Sequence, residues 1–112
     1  MLFNLSASKN NIKFNYLYRD GGNYKVWGSE ILSNPDCISL VEVETKIREY
    51  LIDGEFFDPK YWKVKRLKHD DWVPELDHTW NEFESIEITS EEPTVDYSIA
   101  KFLEQIELAP KY

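Results

Sequence analysis

Two histidines lie within an acidic stretch, and they are the first place in the sequence where chemistry could occur. Asp70 and Asp71 follow His69 directly, and Asp77 precedes His78. Imidazole and carboxylate groups together bind transition metals or transfer protons. Neither a His-x-x-x-His nor a Cys-x-x-Cys pair supports such a site, and two histidines in an acid-rich chain often fall near acids. His69, Asp71 and His78 are therefore weak metal candidates, and no metal or cofactor is predicted.

A basic run with interleaved aromatic residues comes just before the histidines. It comprises Lys60, Tyr61, Trp62, Lys63, Lys65, Arg66 and Lys68. Cations that meet phosphates and rings that stack on bases are typical of single-strand nucleic-acid binding. The alternative is that these side chains neutralise an acidic surface while their stems cover apolar area. The net charge of −8 favours the alternative, so nucleic acid is not a predicted partner.

A third candidate is a group of aromatic and charged residues near a predicted turn. Tyr, Trp and Arg are enriched in interface hot spots, although cross-strand aromatic pairs also stabilise sheets. Two glutamates further along the chain extend the group. The candidate interaction surface is Tyr16, Tyr18, Arg19, Tyr24, Trp27, Glu82 and Glu84.

The charge distribution is uneven and bears on the kind of partner. Residues 70–112 hold twelve acids against two lysines, a net charge of −10, whereas residues 1–69 carry +2. An acidic surface favours solubility or a basic partner, such as a nucleic-acid-binding protein whose groove it could occupy by charge mimicry. Cys37 is the single cysteine, and neither a signal peptide nor an apolar run of about 18 residues is found. We therefore expect a cytoplasmic protein without membrane contact.

Local patterns predict the elements that position these residues. Residues 11–18 and 24–32 alternate as two strands, joined through residues 19–23 in a hairpin turn rich in Gly and Asn. A capping box at Ser39 starts a helix whose apolar stripe is Leu40, Val43, Ile47 and Leu51, and Asp53-Gly54 ends it.

The second half of the chain is less regular. Asp58 and Pro59 predict a short helical turn, and residues 62–67 suggest a short strand. Residues 79–89 predict an edge or partly exposed strand, with Ile86 and Ile88 on one face and Phe83 on the other. Residues 97–108 predict a last helix. Its apolar stripe is Ile99, Phe102, Leu103 and Ile106.

Three segments of the chain carry a resemblance to known proteins. They are residues 14–25 (FNYLYRDGGNYK), 51–57 (LIDGEFF) and 78–84 (HTWNEFE). Together they resemble a family of small uncharacterised bacterial proteins without an assigned activity. The resemblance implies a bacterial or phage source and no site residues.

These patterns together predict a single α+β domain over residues 1–112. Its core would be a small, mostly antiparallel sheet of three to four strands, with two amphipathic helices packed on one face. No nucleophile motif or phosphate-binding loop is present, so the sequence leans against an enzyme. The leading hypothesis is a protein-interaction module (adaptor, regulator or inhibitor). The alternative is a metal-dependent or acid/base enzyme that uses His69, His78 and nearby Asp residues.

Overall fold

An antiparallel sheet forms the centre of the protein. The computed structural model describes residues 10–68 and 80–110. The strands are β1 (Asn11–Arg19), β2 (Lys25–Leu32), β3 (Phe56–Phe57) and β4 (Asn81–Thr89), in the spatial order β2-β1-β4-β3. The helices are α1 (Leu40–Glu49), α2 (Pro59–Trp62) and α3 (Ile99–Leu108). The predicted α+β class is confirmed. Among the described helices, none has the length and apolar character needed to cross a membrane.

The turn between β1 and β2 is held by one carboxylate. Asp20 accepts hydrogen bonds from the backbone N–H groups of Gly22 at 2.8 Å and Tyr24 at 3.0 Å. Asn23 takes the left-handed conformation with φ of 67°, which asparagine tolerates better than most residues. The predicted hairpin is therefore confirmed, although the positive φ falls on Asn23 and not on the glycines beside it.

The two faces of the sheet differ in what covers them. We call the face towards the helices the covered face and the opposite one the open face. Alternate residues of β1 point to the covered face and are at most 1 % exposed: Ile12, Phe14, Tyr16 and Tyr18. The buried helix residues that complete this core are Val43, Ile47, Ile99, Phe102 and Ile106. The prediction that two amphipathic helices pack on one face of the sheet is thus confirmed.

Side-chain caps fix where the helices begin. The hydroxyl oxygens of Ser39 and Ser98 accept from the backbone N–H three residues on, at 3.2 and 3.3 Å, and so satisfy donors left free in the first turns of α1 and α3. Asp58 caps α2 in the same way through the N–H of Lys60 at 3.0 Å. Helix α1 ends at Glu49, earlier than predicted, and Gly54 (φ of 73°) lies in the turn that leads to β3.

Residues 63–67, here called the crossing segment, lie over the covered face near the hairpin. The prediction of a strand at residues 62–67 is wrong. Tyr16 donates its hydroxyl proton to the Lys65 carbonyl at 2.5 Å, and Glu30 accepts from the Lys65 N–H at 3.0 Å. The Asn81 amide both accepts from the Leu67 N–H at 3.0 Å and donates to the Leu67 carbonyl at 3.2 Å. Side chains thus take the place of a neighbouring strand along this segment.

A β-bulge in β4 shows that the predicted orientation of Phe83 is wrong. The register with β1 pairs Asn15 with Ser85 and Tyr16 with Phe83, so Glu84 is the extra residue. An extra residue reverses the alternation beyond it. Phe83 therefore shares the covered face with Ile86, whereas the sequence predicted opposite faces.

The predicted exposure of β4 is also explained by the topology. Strand β4 lies between β1 and β3, but β3 pairs with Asn81 and Glu82 alone. Among the described residues, no strand pairs with residues 84–89 on that side. The charged side chains of Glu84 and Glu87 discourage edge-to-edge association there.

Candidate interaction surface

Two of the seven predicted surface residues belong to the core. Tyr16 and Tyr18 are each 1 % exposed and point to the covered face. Burial raises the pKa of the Tyr16 hydroxyl well above its usual value, and the nearby Glu30 carboxylate raises it further. These two rings stabilise the fold and are not available to a partner in this structure.

Three other predicted residues are brought to the open face by the register. Trp27 lies opposite Leu17 on the neighbouring strand, and Leu17 lies opposite Glu82 on the next one. Adjacent strands are about 4.8 Å apart, so Trp27 and Glu82 are separated by roughly 10 Å across the sheet. Arg19 also points to this face, two residues along β1 from Leu17.

Arg19 and Glu82 form a two-point ion pair at the edge of this row. The guanidinium donates from Nε to Oε1 and from Nη2 to Oε2, both at 3.0 Å. This hydrogen bonding with Glu82 raises the pKa of Arg19. The fork geometry fixes the orientation of both side chains, so the pair forms a rigid border with little net charge.

Two large aromatic side chains remain exposed beside that border. Tyr24 is 71 % exposed at the turn, and Trp27 is 59 % exposed on the open face. Leu17, directly opposite Trp27, is 2 % exposed. The ring of Trp27 therefore points outward from a well-packed part of the sheet. Little conformational entropy would be lost if a partner covered this ring.

The acids of β4 border the same face. Glu84 is exposed at the bulge, and Glu87 accepts a hydrogen bond from the Asn15 amide at 3.0 Å. Further on, Glu91 pairs with Lys13 at 3.2 Å, and this contact lowers the pKa of Glu91. The face is aromatic on the β2 side and acidic on the β4 side.

The candidate metal ligands cannot be placed in this geometry. His69, Asp71 and His78, with Asp70 and Asp77, lie outside the described residues. Within residues 10–68 and 80–110, no group of three or more His, Cys, Asp or Glu residues is arranged to hold a metal ion. Cys37 is exposed in a left-handed turn just before α1.

The basic run is divided by the fold. Trp62 is 3 % exposed and stacks on Phe57 with ring centroids 4.6 Å apart, so it cannot stack on a nucleobase. The neighbouring Lys60 lies over the Tyr61 ring, 5.5 Å from its centroid. Sequence reasoning missed that α3 brings Lys101 to this run. The available signal was the spacing of Lys101, Gln105 and Leu108, which places them on one helix face.

Comparison with known proteins gives no identification. No protein-family model, no curated protein and no solved structure matches the chain. The resemblance of residues 14–25, 51–57 and 78–84 to small bacterial proteins therefore stays a prediction.

Proposed function

We propose that this protein is a small interaction module that binds another protein through the open face of its hairpin. The observation that carries the proposal is the exposure of Tyr24 and Trp27, at 71 % and 59 %, in a protein whose other described aromatic rings are all buried or half-buried. Exposed aromatic residues of this kind are frequent hot spots, because their burial removes a large apolar area from water.

The acidic border suggests the chemistry of the partner. Glu84 and Glu87 lie on β4, which β1 separates from the strand of Trp27, and the chain carries a net charge of −8. A partner with an apolar pocket bordered by basic residues would complement both features. A basic or nucleic-acid-binding protein has that character. Complementary charge would speed association, and salt would slow it.

Affinity capture from a bacterial extract tests the proposal. The tagged baits are the wild type, Trp27→Ala, the double variant Tyr24→Ala/Trp27→Ala, and Val41→Ala as a matched control. Val41 is 77 % exposed on α1, away from the open face. We expect at least one protein that the wild type and the control retain at low salt and that Trp27→Ala loses by about tenfold or more, which corresponds to ~1.4 kcal/mol.

The same experiment defines the contrary result. If all four baits retain the same proteins in the same amounts, the open face is not a binding surface. Retention that is insensitive to salt would remove the basic partner from the proposal while leaving the aromatic surface in place.

A further inference from the structure

A second surface, separate from the open face, has the properties of a ligand pocket. It lies between the end of α2 and one side of α3 and has a volume of about 290 Å³. Its lining residues are Lys60, Tyr61, Lys63, Lys101, Gln105, Leu108 and Ala109. This volume is close to the lower end of the range for small-molecule pockets, roughly 300–1,000 Å³.

The charge of the pocket contrasts with the charge of the protein. Three lysines line it, and the described lining includes no carboxylate, although the whole chain carries −8. Between described residues, no ion pair joins Lys60 or Lys63 to an acid, and Lys101 contacts the exposed Glu104 at 3.4 Å. Ion pairing with nearby acids therefore does not explain why Lys60 and Lys63 are placed at this pocket.

The walls of the pocket are fixed by two hydrogen bonds from α3 and the turn before it. Gln105 donates from Nε2 to the Trp62 carbonyl at 3.2 Å, and Tyr97 donates its hydroxyl proton to the Lys63 carbonyl at 2.5 Å. Lys63 itself has a φ of 62°, a left-handed conformation that is costly for a residue with a side chain. Glycine would adopt this conformation more easily, so the lysine at this position points to a use for its ammonium group.

We infer that this pocket binds a phosphate monoester with a small organic group. A phosphate monoester carries close to two negative charges at neutral pH, and lysine ammonium groups bind phosphate as point charges. A carboxylate would offer a single charge to three cations. The Tyr61 ring and the Leu108 side chain, which is 84 % exposed, provide an apolar wall for the organic group.

Titration of the full chain with small anions, followed by amide chemical shifts, tests the inference. The probes are phenyl phosphate, inorganic phosphate, benzoate and a short single-stranded oligonucleotide. We expect saturable shifts near residues 60–63 and 101–109, with phenyl phosphate binding about tenfold more tightly than benzoate. Inorganic phosphate should bind more weakly than phenyl phosphate, because it leaves the apolar wall uncovered.

Lys63→Gly is the informative variant, with Lys25→Ala as its charge-matched control on β2. Glycine keeps the left-handed backbone and both hydrogen bonds of residue 63, so the variant should fold like the wild type. We expect Lys63→Gly to weaken phenyl phosphate binding by about tenfold and Lys25→Ala by less than about twofold.

Three results would overturn the inference. One is the absence of saturable shifts up to about 10 mM phenyl phosphate, a weaker affinity than a built site would give. Another is equal weakening by Lys63→Gly and Lys25→Ala, which indicates general charge attraction. The third is binding of the oligonucleotide alone with a steep salt dependence, which would assign the pocket to nucleic acid.

Discussion

The two faces of the sheet have opposite compositions although they share the same strands. Towards the helices, β1 presents Ile12, Phe14, Tyr16 and Tyr18 to a core that includes five aromatic rings around Phe14. Away from them, the same strand presents amide and charged groups around the buried side chain of Leu17. Stability is therefore concentrated on the covered face, and substitutions on the open face should change the free energy of unfolding less.

The largest expected effect comes from the centre of the covered face. Phe14 is fully buried, with ring centroids of five aromatic neighbours between 5.2 and 6.2 Å away. Phe14→Ala should lower the free energy of unfolding by about 3–5 kcal/mol. Trp27→Ala on the open face should lower it by less than about 1 kcal/mol. Urea denaturation of both variants measures the contrast, and equal losses would break the division between the faces.

A pair of asparagines sharpens the comparison. Asn81 is 1 % exposed and holds both backbone groups of Leu67. Asn81→Ala leaves those groups buried without partners and should cost about 2–3 kcal/mol. Asn15→Ala removes contacts to Ser85 and Glu87 that lie near solvent, so about 0.5 kcal/mol is expected. A cost below about 1 kcal/mol for Asn81→Ala in urea denaturation would contradict the role of the crossing segment.

Alkaline pH should lower the stability of the protein through the buried hydroxyl of Tyr97. Burial raises the pKa of Tyr97 from 10.0 to about 12, so its neutral form is favoured in the folded state. Its contribution is therefore complete below pH 10 and is lost as the pH rises from about 10 to about 12. Tyr97→Phe should cost about 1 kcal/mol at pH 7 through the lost hydrogen bond to Lys63. The free energy of unfolding of Tyr97→Phe should also fall less steeply above pH 10 than that of the wild type.

Two further variants act as controls for this pH profile. Tyr24→Phe alters an exposed ring and should reproduce the wild-type decline. Tyr16→Phe removes a second phenol whose pKa is raised by burial and should flatten the profile as well. Thermal denaturation between pH 8 and pH 12 makes the measurement. If the stability of the wild type and of Tyr97→Phe changes with pH in parallel, the raised pKa of Tyr97 does not cause the alkaline loss of stability.

The smallest expected effect belongs to the ion pair at the border of the open face. Arg19 and Glu82 are joined at 3.0 Å, but the side chains are 38 % and 16 % exposed, so solvent screens much of the attraction. A double-mutant cycle with Arg19→Ala and Glu82→Ala should give a coupling energy smaller than the losses of stability expected for Phe14→Ala and Asn81→Ala. It should fall towards zero near 1 M salt. Coupling that persists in salt would show that the pair is part of the core.

The elements with local signals were predicted well from the sequence. The alternation of residues 11–18 and the residues of the turn define the hairpin without any distant contact. Ser39 and Asp58 act as caps because the groups they satisfy lie two or three residues away. The apolar stripe of α3 fixes its packing face in the same way.

The wrong predictions concern residues whose hydrogen-bond or strand-pairing partners are distant in sequence. A strand was predicted at residues 62–67, but the backbone groups of Lys65 and Leu67 bond to side chains such as Tyr16 and Asn81, which the local sequence pattern cannot reveal. The bulge at Glu84 depends on the register with β1, and one inserted residue was enough to reverse the predicted face of Phe83.

The candidate site was predicted in part for a related reason. Tyr16 and Tyr18 have the residue types of a binding surface, yet they share the alternation of Ile12 and Phe14 and follow them into the core. Trp27 and Glu82 share one row of the open face because β1 pairs with both β2 and β4. The lysine pocket needs α3 beside α2, a contact between elements about forty residues apart.

Solvent accessibility of the two sheet faces is the most direct test. A soluble gadolinium chelate added to labelled protein broadens signals in proportion to their exposure, and Trp27→Phe and Trp62→Phe assign the two indole signals. We predict strong broadening for the Trp27 indole, which is 59 % exposed, and little for Trp62, which is 3 % exposed. Equal protection of the two indoles in a dilute monomer would mean that the open face is covered, and the division of roles between the faces would be wrong.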